Sequence, residues 1–375
     1  MTSGTSFIKT TKTVEAVTPR SSTRCTLDPS RDVLKVVYDV YEPRDKGDDT
    51  TTSVVNYVFL HGSGMNRRIW CYYLDKLADP VRNWKIGKVI LVDQVTHGDS
   101  AVVNERLLGS FYDWSDGARD ICKICMDEFF QQNGRSVFNI VVGHSMGGFQ
   151  ALCCPILFPG LFQSVVCIEP VVWMKRVRKE SDEDITIIPP TFYHAMHATM
   201  TDEFSSIQQY KKFMETQSLY SKAHPSILQE VEGFELRKIS SELFRTKIST
   251  EQHMVAYLTL NPTATWLMKC LSSINCPVLC LYGEKSRWCP PENRIYLREH
   301  IPHYCEDEII GGRHLVNLED PDSVIAKLTS YIKELLPDDD GEASQALDEN
   351  ARKARFSEQY RELISNRVWQ GTPKL

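Results

Sequence analysis

The chain has 375 residues, of which 42% are hydrophobic and 25% are charged, with a formal net charge of -6 and a sequence pI near 6.0. A chain of this length can bury a sizeable core, as one large domain with an insertion or as two domains. The acidic balance argues against nucleic-acid binding, because nucleic-acid-binding proteins contact phosphates with Lys and Arg. No apolar run approaches the roughly 20 residues that a bilayer crossing requires, so we expect a soluble protein without a membrane span.

The twelve cysteines do not indicate a disulfide scaffold, because the chain is long and its first residues contain no apolar stretch of signal-peptide length. We expect reduced thiols inside a cell. Four pairs of residues have spacings that suggest metal ligands: Cys122/Cys125, Cys153/Cys154, His194/His197 and His300/His303. The cysteine pairs lack a second pair at zinc-site spacing, and the histidine pairs lack the Glu of a zinc-protease helix. We therefore predict no metal and no cofactor.

In chain order, residues 1–30 are rich in Ser and Thr without periodicity, and we expect a loosely ordered N-terminal arm there. Short aliphatic and β-branched runs follow at 33–41, 54–60, 88–93, 137–143, 164–169 and 277–283. Runs without alternation indicate strands that are covered on both faces, as in a parallel sheet. With helix-length segments between the runs, the pattern predicts an α/β fold with a mostly parallel, doubly wound sheet.

The rest of the chain divides around this core. Residues 172–275 contain no strong buried-strand run and many helix formers, so we expect an inserted helical lid between core segments 31–171 and 276–336. The C-terminal tail, 337–375, begins with an acidic run and continues with interleaved charges typical of a solvent-facing helix.

The sequence Gly143-His144-Ser145-Met146-Gly147 matches the G-x-S-x-G nucleophile elbow and directly follows an apolar strand. This sharp strand-to-helix turn places the serine in a strained conformation, and small flanking residues provide the necessary space. We predict that Ser145 is a nucleophile. The backbone N–H of Met146 then lies at a helix N-terminus, where it can stabilise an oxyanion.

A second glycine turn, His61-Gly62-Ser63-Gly64, follows the predicted strand at 54–60. Hydrolases with the nucleophile elbow place their second oxyanion donor at this position. We expect the backbone N–H of Ser63 or Gly64 to complete the oxyanion hole.

The last histidine, His314, follows the segment EIIGGR near the end of the core. In the α/β-hydrolase fold the triad residues occur in the order Ser, acid, His, so a histidine after the final strand is the expected general base. His314 would accept the Ser145 proton during attack and return it to the leaving group.

The sequence offers more than one candidate for the triad acid. The commoner pattern GExD places an Asp after the strand at 277–283, but this chain has Ser286 there. The alternatives are Glu284, Glu169 at the end of the preceding strand, or another carboxylate. We predict Glu169, on the expectation that Pro170 bars a continuing helix and holds Glu169 extended toward the active edge of the sheet.

Five segments make the chain resemble the fungal peroxisomal lipase family of the α/β-hydrolases: in chain order, FLHGSGMNRRIW, DQVTHGDSA, GHSMGGFQAL, IEPVV and GGRHLVNLEDP. The resemblance covers most of residues 31–330. Similar hydrolases occur in fungal host-selective toxin pathways. The resemblance implies a Ser145/His314 hydrolase with a helical lid that acts on an acyl ester. Within DQVTHGDSA, residues such as Asp93 and His97 are expected to shape the pocket rim.

The last three residues, Pro373-Lys374-Leu375, are a variant of the S-K-L peroxisomal signal that differs at its first position. Together with the resemblance, they predict a peroxisomal matrix protein that binds the peroxisomal import receptor.

The main hypothesis is hydrolysis of a carboxylic ester in lipid metabolism through an acyl-enzyme. An acyl-CoA thioesterase and a tailoring or binding protein of fungal toxin biosynthesis are the alternatives.

Overall fold

The structure is a computed structural model that describes residues 6–44, 53–77, 84–129, 137–172, 190–336 and 348–365. Its strands are β1 (Phe7–Glu15), β2 (Lys35–Pro43), β3 (Val54–Leu60), β4 (Lys85–Asp93), β5 (Val137–His144), β6 (Ser164–Ile168), β7 (Glu203–Phe204), β8 (Leu236–Lys238), β9 (Phe244–Thr246), β10 (Val278–Gly283) and β11 (Tyr304–Ile309). Its helices are α1 (Cys71–Leu77), α2 (Gly98–Asn104), α3 (Trp114–Phe129), α4 (Met146–Leu157), α5 (Pro190–Thr199), α6 (Ile207–Thr216), α7 (Pro225–Glu235), α8 (Thr250–Leu258), α9 (Leu260–Cys270), α10 (Pro291–His300), α11 (Val316–Glu319), α12 (Pro321–Leu335) and α13 (Glu349–Ser365).

Eight strands form one sheet in the order β1-β2-β4-β3-β5-β6-β10-β11. From β4 to β11 all neighbours pair in parallel, and only the β1-β2 and β2-β4 pairs are antiparallel. Successive residues of β5 alternate between two buried clusters: Val141 packs into one, and Ile140 and Val142 pack into the other. Both faces of the sheet are therefore covered, which explains the continuous apolar runs of the central strands. The predicted α/β-hydrolase fold is confirmed.

The N-terminal segment differs from the expected loosely ordered arm. All nine residues of β1 pair antiparallel with β2. Arg20 then donates to Asp120 at 2.8 Å, and Asp120 also accepts from the N–H of Val17 at 2.7 Å. The described part of this segment is thus tied to the core. The strand was missed because it lies at the sheet edge with mostly exposed Thr and Lys side chains, which give no hydrophobic signal.

The insertion between β6 and β10 contains α5 to α9, together with a small antiparallel sheet in the order β7-β9-β8. It is described from residue 190 onward. The small sheet is a departure from the helical lid expected for residues 172–275. Its strands have two or three residues each, too short for any periodicity in the sequence to reveal.

A buried ion cluster fixes the segment that follows β3. Arg67 donates to Asp39 of β2 at 2.9 Å, to Asp93 at the end of β4, and to Asp99 at 2.8 Å. Arg67, Asp39 and Asp93 are almost fully buried. Charge-assisted hydrogen bonds of this kind hold the planar guanidinium in one orientation. The loop after β3 is therefore anchored to two neighbouring strands of the sheet.

Residues 1–336 form one compact unit, and residues 337–375 form a second. In the second unit the structure describes α13, within the segment for which the sequence predicted a helix. Across the described residues, no helix combines the length and apolarity that a membrane crossing requires. The terminal residues Pro373, Lys374 and Leu375 lie outside the described residues.

Candidate active site

Ser145 lies in the turn between β5 and α4. Its backbone has φ 54° and ψ -113°, a conformation that L-residues rarely adopt. The flanking glycines make this turn possible. A Cβ on Gly143 would lie 2.0 Å from the carbonyl oxygen of Gly147, and a Cβ on Gly147 would lie 2.3 Å from the carbonyl oxygen of Leu60. The turn thus has the geometry of a nucleophile elbow, with Ser145 above the carboxyl edge of the sheet.

His314 and Glu169 are brought to Ser145 by two other loops of the same edge. His314 Nε2 is 3.1 Å from Ser145 Oγ, and His314 Nδ1 is 3.0 Å from Glu169 Oε2. Glu169 is fully buried. Because a carboxylate only accepts hydrogen bonds, this contact places the imidazole proton on Nδ1 and leaves Nε2 free to accept the serine proton.

Glu169 does not have the extended backbone that we expected from Pro170. Its φ is 52°, in the left-handed region, although it directly follows β6. Besides His314, its carboxylate accepts the N–H of Gly283 at 2.7 Å and a short hydrogen bond from the Ser286 hydroxyl. Ser286 occupies the position of the Asp in the commoner pattern. In this chain that residue contacts the acid and does not supply it.

Glu284, the other candidate acid, faces away from the site. Its side chain is exposed, and its Oε2 accepts the N–H of Gly311 at 2.7 Å. This contact stabilises the turn after β11. The structure thus places Glu169, and not Glu284, beside His314.

Two aromatic side chains that the sequence analysis did not assign to the site support His314. The indole of Trp288 stacks on the imidazole, with ring centroids 4.9 Å apart and planes 21° apart. The Nε2 of His144 lies 2.8 Å from the carbonyl oxygen of His314, so His144 donates this hydrogen bond. Burial holds the pKa of His144 well below its usual value, so the ring is neutral. In the sequence, the sign of this contact was the histidine at the first variable position of the G-x-S-x-G motif.

The three predicted oxyanion donors are not equivalent. Ser63 lies in the cavity wall with Ser145, and a Cβ on the preceding Gly62 would lie 3.2 Å from the Cβ of Ser145. Met146 is the first residue of α4, where backbone N–H groups have no partner within the helix. The N–H of Gly64, in contrast, donates to His97 Nε2 at 3.0 Å. This corrects the expectation for Gly64, because its donor is already engaged.

A cavity of about 290 Å³ opens over Ser145 and His314. Residues of the insertion between β6 and β10 provide most of its wall. The apolar lining residues are Met65, Met196, Met200, Phe213, Met214, Leu219, Tyr220, Ile248, Tyr257, Trp288 and Leu315. Methionine side chains are flexible and polarisable, so such a wall can adapt to ligands of different shape. The cavity is suited to an apolar group attached to the reacting carbon.

Among the described residues, one group of side chains has the spacing of metal ligands: Glu169, Cys289 and His314, with ligand atoms within 4.8 Å of one another. Glu169 and His314 are hydrogen-bonded to each other. The thiol of Cys289 donates to the carbonyl oxygen of Pro170 at 3.3 Å, and burial raises its pKa well above the usual value. A protonated thiol is a poor metal ligand and a poor nucleophile. The group therefore fits a hydrogen-bonded catalytic site better than a metal centre.

Comparison with known proteins gives a consistent result. The alpha/beta hydrolase family matches residues 57–327. The chain is 39% identical over 344 residues to the peroxisomal membrane protein LPX1 of Saccharomyces cerevisiae, which covers 88% of each chain. The crystal structure of the peroxisomal alpha-beta-hydrolase Lpx1 from that yeast has a TM-score of 0.85 at 36% identity, covering 97% of this chain and 99% of that one.

More distant matches are shorter or lie at lower identity. A type I acyl-CoA thioesterase, mpaH of Penicillium brevicompactum, is 27% identical over 142 residues, or 38% of this chain and 32% of that protein. The structure of E-2-(acetamidomethylene)succinate hydrolase has a TM-score of 0.56 at 19% identity and covers 79% of this chain and 95% of that one, a likeness in fold. From the family match and the similarity to the yeast protein over most of its length, the chain belongs to the alpha/beta hydrolase family and is an enzyme of the Lpx1 type.

Proposed function

We propose that the protein hydrolyses a carboxylic ester of an acyl group through an acyl-enzyme on Ser145. The observation that carries this proposal is the hydrogen-bond chain from Ser145 Oγ to His314 at 3.1 Å and from His314 to Glu169 at 3.0 Å. A serine, a histidine and a buried carboxylate in this order are the arrangement that activates a hydroxyl nucleophile.

In the acylation half-reaction, Ser145 Oγ attacks the ester carbonyl while its proton passes to His314 Nε2. Glu169 stabilises the imidazolium that forms. The negative charge on the carbonyl oxygen is held by the backbone N–H groups of Ser63 and Met146. When the tetrahedral intermediate collapses, the proton on Nε2 goes to the leaving alcohol oxygen. Water then attacks the acyl-enzyme by the same route and releases the carboxylic acid.

The shape and lining of the cavity favour an acyl substrate of modest size. Its volume, about 290 Å³, lies at the lower end of the range for small-molecule sites. Its wall of methionine, Phe213 and Leu219 offers apolar contacts to a hydrocarbon chain. We therefore propose short- to medium-chain acyl esters as the preferred substrate class.

The direct test is a panel of p-nitrophenyl and glycerol esters of increasing acyl length, assayed with the wild type and with Ser145→Ala. We expect turnover to rise to a maximum at intermediate chain length. Ser145→Ala should lower turnover by about a million-fold, because the nucleophile is lost. Circular dichroism should show an unchanged fold. Wild-type turnover by folded Ser145→Ala would contradict the proposal.

A second candidate is hydrolysis of acyl-CoA thioesters by the same residues. It is favoured by the similarity of part of the chain to proteins named as type I acyl-CoA thioesterases. Comparing kcat/KM for an acyl-CoA with that for the ester of the same acyl group separates the two candidates. A ratio well above one assigns the thioester, and a ratio well below one assigns the ester.

We also propose that the protein functions in the peroxisomal matrix and reaches it through the import receptor. The support is the terminal Pro373-Lys374-Leu375 sequence, close to the S-K-L signal, and the name of the yeast relative as peroxisomal.

A further inference from the structure

Two peptide groups of the loop after β3 are held by histidine side chains. The carbonyl oxygen of Gly62 lies 2.8 Å from His61 Nδ1 and also accepts the N–H of Met65 at 3.2 Å. In a trans peptide the C=O and N–H bonds point in opposite directions. Fixing the Gly62 carbonyl therefore also fixes the direction of the Ser63 N–H, which is the proposed oxyanion donor.

The tautomer of His61 follows from its other contact. The backbone N–H of Gln94 donates to His61 Nε2 at 3.1 Å. Because a backbone N–H can only donate, Nε2 must be unprotonated and Nδ1 must carry the hydrogen. The ring is fully buried, and burial lowers its pKa, which favours the neutral form. His61 thus donates to Gly62 as a neutral imidazole.

His97 holds the next peptide group, but as a hydrogen-bond acceptor and not as a donor. The N–H of Gly64 donates to His97 Nε2, so this nitrogen is an acceptor and Nδ1 carries the hydrogen. Nδ1 lies 2.8 Å from the Thr96 hydroxyl oxygen. His97 is fully buried, and its pKa lies well below the usual value because of burial. The two imidazoles lie side by side, with ring centroids 5.0 Å apart.

We propose that His61 and His97 are positioning residues that hold the consecutive peptide groups 62–63 and 63–64 in the orientation needed for the oxyanion hole. His61 acts as a donor through Nδ1, and His97 acts as an acceptor through Nε2. Neither side chain is assigned contact with the substrate. This inference rests on the proposed acyl-enzyme function, because only a reaction with an oxyanion requires the Ser63 N–H to be aimed at the cavity.

The two opposite roles give a reciprocal test with amide side chains. The amide of Asn can replace the Nδ1 position of a histidine, and the amide of Gln can replace the Nε2 position. His61→Asn keeps a donor for Gly62, whereas His61→Gln does not. His97→Gln keeps an acceptor for Gly64, whereas His97→Asn does not.

We expect kcat to fall about 100-fold or more in His61→Gln and His97→Asn, as on loss of one oxyanion donor. His61→Asn and His97→Gln should retain at least ten times more activity than their partners. KM should change less than threefold in all four variants. The affinity for a trifluoromethyl ketone, which forms the oxyanion, should fall in proportion to kcat/KM.

A matched control separates positioning from loss of stability. Leu328 is fully buried in α12, away from the cavity lining, so Leu328→Ala should lower Tm without lowering kcat. If kcat in the four histidine variants followed Tm alone, with no difference between Asn and Gln, the inference would be wrong. Wild-type activity of Ser145→Ala would instead contradict the proposed function. That result is read separately from the ranking of the four histidine variants, which tests the positioning role.

A measurement on the wild type keeps the inference testable if the variants do not fold. Long-range proton–nitrogen NMR correlations should assign the neutral Nδ1–H tautomer to both His61 and His97 at pH 7 to 8. Observation of the Nε2–H tautomer or of a charged ring at either position would overturn the inference.

Discussion

At the residue scale, the carboxylate of Glu169 is surrounded by three donors: His314 Nδ1, the N–H of Gly283 and the hydroxyl of Ser286. Donors of this kind satisfy the acceptor oxygens of a buried carboxylate. They also fix its direction, so that it can orient the imidazole of His314. The left-handed backbone of Glu169 brings the carboxylate into this position directly from the end of β6.

We predict that Glu169→Gln lowers turnover by about 10⁴-fold, because a neutral amide cannot stabilise the imidazolium or enforce the required tautomer. Glu284→Gln is the matched control, since the side chain of Glu284 is exposed and accepts the N–H of Gly311. Glu284→Gln should lower turnover less than threefold. Turnover of both variants on one good ester, with folding checked by circular dichroism, tests the ranking. The reverse ranking would transfer the acid role to Glu284.

The sequence predicted Ser145 and His314 because each lies in a motif whose spacing and order are fixed by the chemistry. It predicted Glu169 for a reason that the structure contradicts, since the residue is left-handed and not extended. The contact of Ser286 with Glu169 joins residues 117 positions apart. A contact of this kind depends on how loops from different strands meet, which local pattern does not encode.

At the element scale, Glu235 joins the insertion between β6 and β10 to the loop after β3. It ends α7 and lines the cavity, and its carboxylate accepts the Asn66 amide at 2.6 Å. It also accepts the backbone N–H groups of Lys247 and Ile248 at 3.1 and 3.2 Å. Burial raises the pKa of Glu235 to about 7 despite these donors. The Glu235 carboxyl that makes this contact therefore titrates near neutral pH.

We predict that this carboxyl makes the protein less stable as pH rises. Its pKa is higher in the folded state than the usual 4.5, so the folded state binds more protons between about pH 4.5 and 7. The stabilisation is present at low pH and is lost as pH rises through 7. Between pH 5.5 and 8 the wild type should lose about 2 kcal/mol more unfolding free energy than Glu235→Gln. Denaturant unfolding of both proteins tests this, and parallel pH curves would contradict it.

The sequence predicted the strands that are buried on both faces of the sheet. It did not predict the edge strand, which is exposed to solvent. Strands β3 to β6 and β10 appear as apolar runs, because helices cover both faces of the sheet at these strands. Strand β1 has a polar sequence, and its formation depends on pairing with β2 about 28 residues away. Edge strands of this type are specified by their partner and not by their own hydrophobicity.

At the scale of the whole molecule, the fold and the proposed location can be tested independently. We predict that deleting residues 373–375 moves a fluorescently tagged protein from peroxisomes to the cytosol without changing Tm. The matched control is Pro373→Ser, which creates the S-K-L sequence and should keep or improve import. Peroxisomal fluorescence that persists after the deletion would point to another signal or to import with a partner.

The overall architecture followed from the order of apolar runs and helix-length segments, since right-handed crossovers leave few arrangements for a parallel sheet. The antiparallel strands β1 and β2 at the sheet edge and the small sheet β7-β9-β8 could not be predicted in this way. Both depend on pairing between segments with weak sequence signals, and the energy of such pairing comes from the assembled neighbours.

Among the described residues, the only two non-glycine residues with positive φ are Ser145 and Glu169, two members of the proposed triad. A strained backbone of this kind costs of order 1–3 kcal/mol at each position. The strained backbone therefore lowers thermal stability at two residues of the proposed triad. Stabilising substitutions that relax these turns should reduce activity.

This activity–stability trade-off can be measured by comparing Ser145→Gly with Ser145→Ala. Both variants lack the nucleophile, but glycine adopts positive φ without strain whereas alanine does not. We predict that Ser145→Gly melts at a higher temperature, by an amount equivalent to about 1 kcal/mol, although glycine normally destabilises a folded chain. Calorimetry of the two inactive proteins would show it. An equal or lower Tm for the glycine variant would mean that the elbow stores little strain.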